Sequence, residues 1–140
     1  MALDLLRVRR RLSLEEAAAL HGHKGPWLIL GYKAGERAVE VLKPFDEADL
    51  ECTVKGPLRT PYTCSADGIQ AASKCTTGKL NIRLEESEEV EYVFRLKSTG
   101  RVLILRPRPS VLKRLRTEPL LEAARFVEGA EHWELFEERG

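Results

Sequence analysis

The stretch PWLILGYKAGERAVEVLK, residues 26–43, constrains the fold more than any other part of the chain. Pro26 suits the first turn of a helix, where its missing N–H costs nothing, and the Lys43-Pro44 step breaks the pattern at the far end. Inside it, Gly31 and Gly35 lie four apart and therefore share one helix face. Each gives up about 1 kcal/mol of helix propensity relative to alanine. Two such losses on one face make sense if another element approaches the backbone closely there, or if the face lines a site.

The segments around this helix predict its partners. Ser13 followed by Glu16 is a capping box, opening a helix through LEEAAAL that stops near Gly22. LECTV, residues 50–54, alternates and reads as a strand, and KGPLRTPYT is a loop with two prolines. SADGIQAASK reads as a short helix with Thr63 or Ser65 near its cap. Residues 80–84, 90–96 and 101–105 are strand candidates, the last two joined by a hairpin turn at STG, residues 98–100. After RPRPS the pattern returns to helix, from Ser110 and again after Pro119.

The predicted order is α-α-β-α-β-β-β-α-α. Hairpin-linked strands with helices in blocks imply an α+β fold, with one sheet of about four strands packed against helices. The chain reads as a single domain over residues 1–140, with a core at about 12–106 and a C-terminal helical extension at about 110–138. No glycine-rich phosphate loop follows a strand and no Walker motif occurs, which argues against a nucleotide-binding α/β domain.

Composition excludes some classes. With 43% hydrophobic and 32% charged residues, the 140-residue chain reads as a soluble globular protein. No apolar run is long enough to span a bilayer, and MALDLLRVRRRL lacks the apolar core of a secretory signal. A cytoplasmic protein is expected, without a membrane partner. The net charge of +1 offers nothing global to nucleic acid, and the clusters at Arg7–Arg11 and Arg106–Arg116 carry no interleaved aromatics for stacking. Asn81 and Gln70 are the only side-chain amides, and charge comes mostly from Glu and Arg, a thermophile-like bias.

The chemistry-bearing residues fall in two stretches. In HGHKGPW, His21 and His23 are spaced i, i+2. On a helix they would point about 200° apart, whereas a loop loosened by Gly22 and Gly25 lets them converge. They read either as metal ligands or as ordinary hydrogen-bonding groups. Cys64 is the best third donor. It sits just before a helix, whose dipole and free N–H groups lower a thiol's pKa. As a thiolate it would serve as ligand, or as a nucleophile with His21 or His23 as base; otherwise it is a small buried hydrophobe. Cys75 competes, but eleven helical residues rise about 16 Å, too far for both thiols to hold one ion. Cys52, inside a strand, reads as core. Asp67 and Gln70 are either supporting partners of the site or helix-surface groups. Thr76, Thr77, Gly78 and Lys79 line an anion site or form the turn into the next strand. His132, in the acidic tail, reads as structural.

Taken together, HGHKGPWLILGYKAGERAVEVL and TCSADGIQAASKCTTGKLNI resemble the FmdE-like family, which is named after formylmethanofuran dehydrogenase. Its pattern runs H-G-H-x-C-P-G into a glycine-bearing helix, then, about forty residues on, C-x-x-D-x-x-Q and C-T-x-G-K-x-N. His21, Gly22, His23, Pro26, Gly31, Gly35, Cys64, Asp67, Gln70, Cys75, Thr76, Gly78, Lys79 and Asn81 match it. The resemblance implies an α+β core with a mixed sheet, a homodimer, and a transition-metal site, zinc by expectation, built from His21, His23 and Cys64. It also implies a link to one-carbon metabolism beside molybdenum or tungsten enzymes. If the metal is catalytic, it would act as a Lewis acid on a small carbonyl, pterin or formyl-type ligand, with Lys79 or Gln70 orienting an anionic group. The alternatives are a non-catalytic accessory or ligand- or metal-binding subunit serving a redox-enzyme partner, or a metal-free thiol enzyme using Cys64. Gly25 stands where the family pattern has a cysteine, and no cysteine follows Cys75, so the C-terminal zinc finger of some family members has no counterpart in the sequence.

Overall fold

The computed structural model describes residues 2–140. The predicted glycine-bearing helix is present as α3, Pro26–Leu42, after α1, Ala2–Leu6, and α2, Leu14–His21. The Ser13–Glu16 capping box is formed in both directions, and Gly22 ends α2 in the left-handed conformation at φ +114°. Pro26 occupies the first turn of α3, and Lys43 closes it.

The two glycines of α3 are spent on one contact. Helix α4, Cys64–Ser73, lies so close that a Cβ on Gly31 would sit 1.9 Å from the Ser65 carbonyl oxygen. A Cβ on Gly35 would sit 2.9 Å from the Ala72 methyl. The approach is reciprocal, since a Cβ on Gly68 of α4 would meet the Leu28 carbonyl oxygen at 2.1 Å. The propensity given up by the glycines is recovered as backbone-to-backbone packing, with Leu28, Ile29, Leu30 and Ile69 fully buried.

Below this helix pair runs one mixed sheet in the order β2-β1-β3-β4-β5. Its strands are β1 Leu50–Gly56, β2 Ile82–Glu86, β3 Glu91–Leu96, β4 Val102–Pro107 and β5 Phe136–Arg139. β1 pairs with β2 in parallel, the crossover being α4, and with β3 antiparallel. Alternation sends Cys52, Val54, Tyr92, Phe94, Leu103 and Leu105 into one core with α3. On the other face Arg95 pairs with Glu51, and Arg106 with Glu91.

The predicted order of elements is found, with additions at the two ends. The tail read as helical carries α5 Pro109–Thr117, α6 Leu120–Gly129 and α7 His132–Leu135, then returns to the sheet as β5. FEER has no strand alternation of its own. Its pairing comes from burying Phe136 at the end of β4 and setting Glu137 opposite Arg106. The strand expected at residues 80–84 begins at Ile82, because Thr77–Lys79 forms a 3₁₀ turn first. Gly100, at φ +78°, turns the β3–β4 hairpin. Among the described residues no helix is long and apolar enough to cross a membrane.

Candidate functional site

The sequence places His21 and His23 at the end of α2, and the fold decides what they face. His21 is the last residue of α2 rather than part of the loop. Left-handed Gly22 then turns the chain, so His23 lies beyond the helix with its ring centroid 4.8 Å from that of His21, tilted by 41°. The helical divergence that would separate an i, i+2 pair is thus removed at Gly22. Lys24 holds the loop in place by pairing with Glu15 of α2 and Glu128 of α6.

His21 also faces α4. Its Nδ1 lies 2.6 Å from Asp67 Oδ2. An ionised carboxylate has no proton to give, so Nδ1–H is the donor. In the neutral ring the lone pair is then on Nε2, which is buried and has no hydrogen-bond partner. The side chain as a whole is 12% exposed. A buried polar atom without a partner is uncommon and marks a position where something else is bound or where function outweighs stability. The opposite oxygen, Asp67 Oδ1, accepts from Gln70 Nε2 at 3.3 Å, and Gln70 Oε1 accepts from the Thr77 N–H at 3.0 Å. Asp67 and Gln70 therefore form a chain of hydrogen bonds that orients the His21 ring.

Cys64 opens α4 one turn before Asp67. The expected depression of its thiol pKa is not found. Burial pushes it up, the Asp67 carboxylate adds to this, and a hydrogen bond from its own backbone opposes them without prevailing. Thr63 is the N-cap, but its side chain makes no capping bond. Cys75 lies past the other end of α4, fully buried, with its thiol on the Leu50 carbonyl oxygen at 3.3 Å. Cys52 is core as expected, its thiol pushed far up by burial. The two ends of α4 thus separate Cys64 from Cys75.

Thr76 and Lys79 come together in the turn after α4. Lys79 Nζ donates to Thr76 Oγ1 at 2.7 Å and to the Lys74 carbonyl at 2.6 Å. Buried Asn81 ties this turn down, accepting from the Thr76 N–H at 2.7 Å and donating to the Glu47 carbonyl at 3.2 Å. Next to Cys64, Tyr62 packs against Trp27 of α3, with ring centroids 4.8 Å apart and the planes tilted by 57°, and accepts from Arg116 Nε at 3.2 Å. Spacing does not point to this contact, because Tyr62 and Arg116 are 54 residues apart in the chain.

Whether these residues suit a transition metal is a question of donor atoms. A ligating imidazole characteristically passes its other ring N–H to a carboxylate, which fixes the tautomer and makes the free nitrogen more basic. His21 with Asp67 meets this requirement, and the orphaned Nε2 is the donor. His23 adjoins it. Among the described residues, no group of three or more His, Cys, Asp and Glu stands close enough to hold an ion together. The donor chemistry at His21 fits, while a complete ligand shell is not assembled.

The fold and the His21–Asp67 pair define a small α+β protein with an imidazole–carboxylate dyad at the end of a tightly packed helix pair. Over residues 20–136 the chain matches the family described as "FmdE, Molybdenum formylmethanofuran dehydrogenase operon". The chain belongs to the FmdE family. Among curated proteins, none matches it.

Proposed function

We propose that the protein is a metal-binding member of this family, with His21 Nε2 as the primary ligand, His23 beside it, and zinc as the occupant. The observation that carries this reading is the buried, unpartnered Nε2 of His21 backed by Asp67 at Nδ1. A zinc ion held there would supply a Lewis acid for a small carbonyl or formyl-type ligand. The chain's own part is to hold His21 in one tautomer through Asp67, to keep Asp67 in place through Gln70, and to shield the inner nitrogen from water.

The family description names the operon of molybdenum formylmethanofuran dehydrogenase. It supports a role beside a one-carbon redox enzyme, with the chain acting as a homodimeric accessory or as an enzyme in its own right. A metal-free thiol enzyme is the weaker reading, since burial and Asp67 both disfavour the Cys64 thiolate. Crystals of zinc-loaded protein, phased at the zinc edge, test the proposal. An anomalous peak within about 2.0–2.1 Å of His21 Nε2 is expected; a peak elsewhere, or none, overturns it.

A further inference from the structure

Leu20 and Gln70, the neighbours of the His21–Asp67 pair, form part of the wall of a separate cavity of about 430 Å³. The N-terminal arm supplies the opposite wall. It is held there by the Tyr32 hydroxyl, which donates to the Leu12 carbonyl at 2.8 Å, and by Lys74, which donates to the Val8 carbonyl. The volume lies within the range of about 300–1,000 Å³ usual for small-molecule sites.

The lining has two parts. Leu12, Leu20 and Ala71 make an apolar surface. The charged part is one-sided, with five cationic side chains and a single acid, Glu47. Three of those cations are already neutralised, Arg7 by Glu47, Arg10 by Glu16 and Arg11 by Glu36. Lys74 and Lys79 are not. Among the described residues their ammonium groups donate only to carbonyl and hydroxyl oxygens. Burial pushes the Lys74 ammonium down, and Lys79, Arg9 and Arg10 add to this against the pull of Glu47. Two uncompensated ammonium groups beside an apolar wall are complementary to a molecule carrying both an anion and a hydrocarbon body.

We propose that this cavity binds a small organic anion, its carboxylate or phosphate on Lys74 and Lys79 and its apolar body against Leu12 and Leu20. None of its lining residues is a proposed metal ligand; the two sites share only Gln70, which bonds to Asp67.

The full chain, kept in excess EDTA, is titrated with the fluorescent amphipathic anion 8-anilinonaphthalene-1-sulfonate. Bound dye is then displaced with octanoate, octyl phosphate or octanol. One saturable site per chain is expected, with the anionic competitors at least about tenfold more effective than octanol; the better of the two names the headgroup. The double variant Lys74→Gln/Lys79→Gln should weaken dye binding by roughly tenfold or more while its circular dichroism melt stays cooperative. If that variant does not fold, Lys79→Gln alone serves, since its side chain is exposed, with roughly a threefold loss expected. Equal competition by octanol, or dye binding unchanged in the folded variant, overturns the proposal. So does sedimentation showing that self-association excludes the dye, which would make a second copy the occupant. Binding in EDTA keeps this result separate from any failure of the metal reading.

Discussion

The α3–α4 seam and the His21–His23 corner lie side by side but are built in opposite ways. In the seam, Gly31, Gly35 and Gly68 let two backbones touch, leaving no room for a methyl group. At the corner, a buried ring nitrogen is left without a partner. The first arrangement gains packing and tolerates nothing new. The second gives up a hydrogen bond, at about 1–3 kcal/mol for a neutral buried group, and so has an atom available. Gly68 follows Asp67 directly, so the two regions meet on α4, but the dyad is closed by α2 rather than by α3. Stability and chemistry are therefore separable by mutation, although the residues are adjacent.

The largest effect should come from the seam. Gly68→Val would push a side chain into the Leu28 carbonyl and the Tyr32 N–H, which a Cβ already meets at 2.1 and 2.5 Å. Because both obstacles are backbone, the cost should exceed the ordinary overpacking range of about 1–3 kcal/mol, and no cooperative thermal melt should remain. A stable Gly68→Val protein would mean that the helices are not in contact as described. Asp67→Asn should behave differently. The amide oxygen can still accept from His21, so the melting temperature should hold, while zinc affinity falls roughly 10–100-fold. An equal loss of stability and affinity would erase the distinction between the two regions.

Gly22→Ala is a milder probe of the corner. Its φ of +114° is unfavourable for a Cβ, yet nothing lies within 4 Å of where the methyl would go. A cost of about 1–2 kcal/mol in chemical denaturation is expected from strain alone.

The smallest effect concerns acid. Asp49 joins β1 to the β3–β4 turn, accepting from the Phe45 N–H at 2.9 Å and from the Ser98 N–H and hydroxyl at 2.9 and 3.0 Å. These bonds, the one from Phe45 foremost, hold its carboxyl below the usual carboxylate range. Since the folded pKa is the lower one, this stabilisation is present above the unfolded pKa and is lost as pH falls through the folded value. Asp49→Asn should therefore lower stability at neutral pH and flatten the decline below about pH 4. An unchanged acid limb would assign that decline to other carboxylates.

How much of this is legible in the sequence follows from range. Capping at Ser13 and Glu16, the Pro26 start, and the meaning of Gly31 and Gly35 are local signals, and each is matched in the structure. Strand β5 is not legible, because FEER is recruited by a neighbour rather than by its own alternation. At the site, His21, His23, Cys64 and Asp67 stand out by residue type. That Asp67 serves His21, 46 residues away, depends on the packing of α2 against α4. The Cys64 thiol departs from expectation because burial outweighs the helix terminus, and burial depends on tertiary packing.

The central claim is that His21 Nε2 is an available metal donor prepared by Asp67. Calorimetric titration of the metal-free chain with zinc, beside His21→Ala and the remote control His132→Ala, tests it most directly. The account predicts one ion per chain in wild type and in His132→Ala, and none in His21→Ala. Zinc binding that survives His21→Ala unchanged, or none in the wild type, would contradict it.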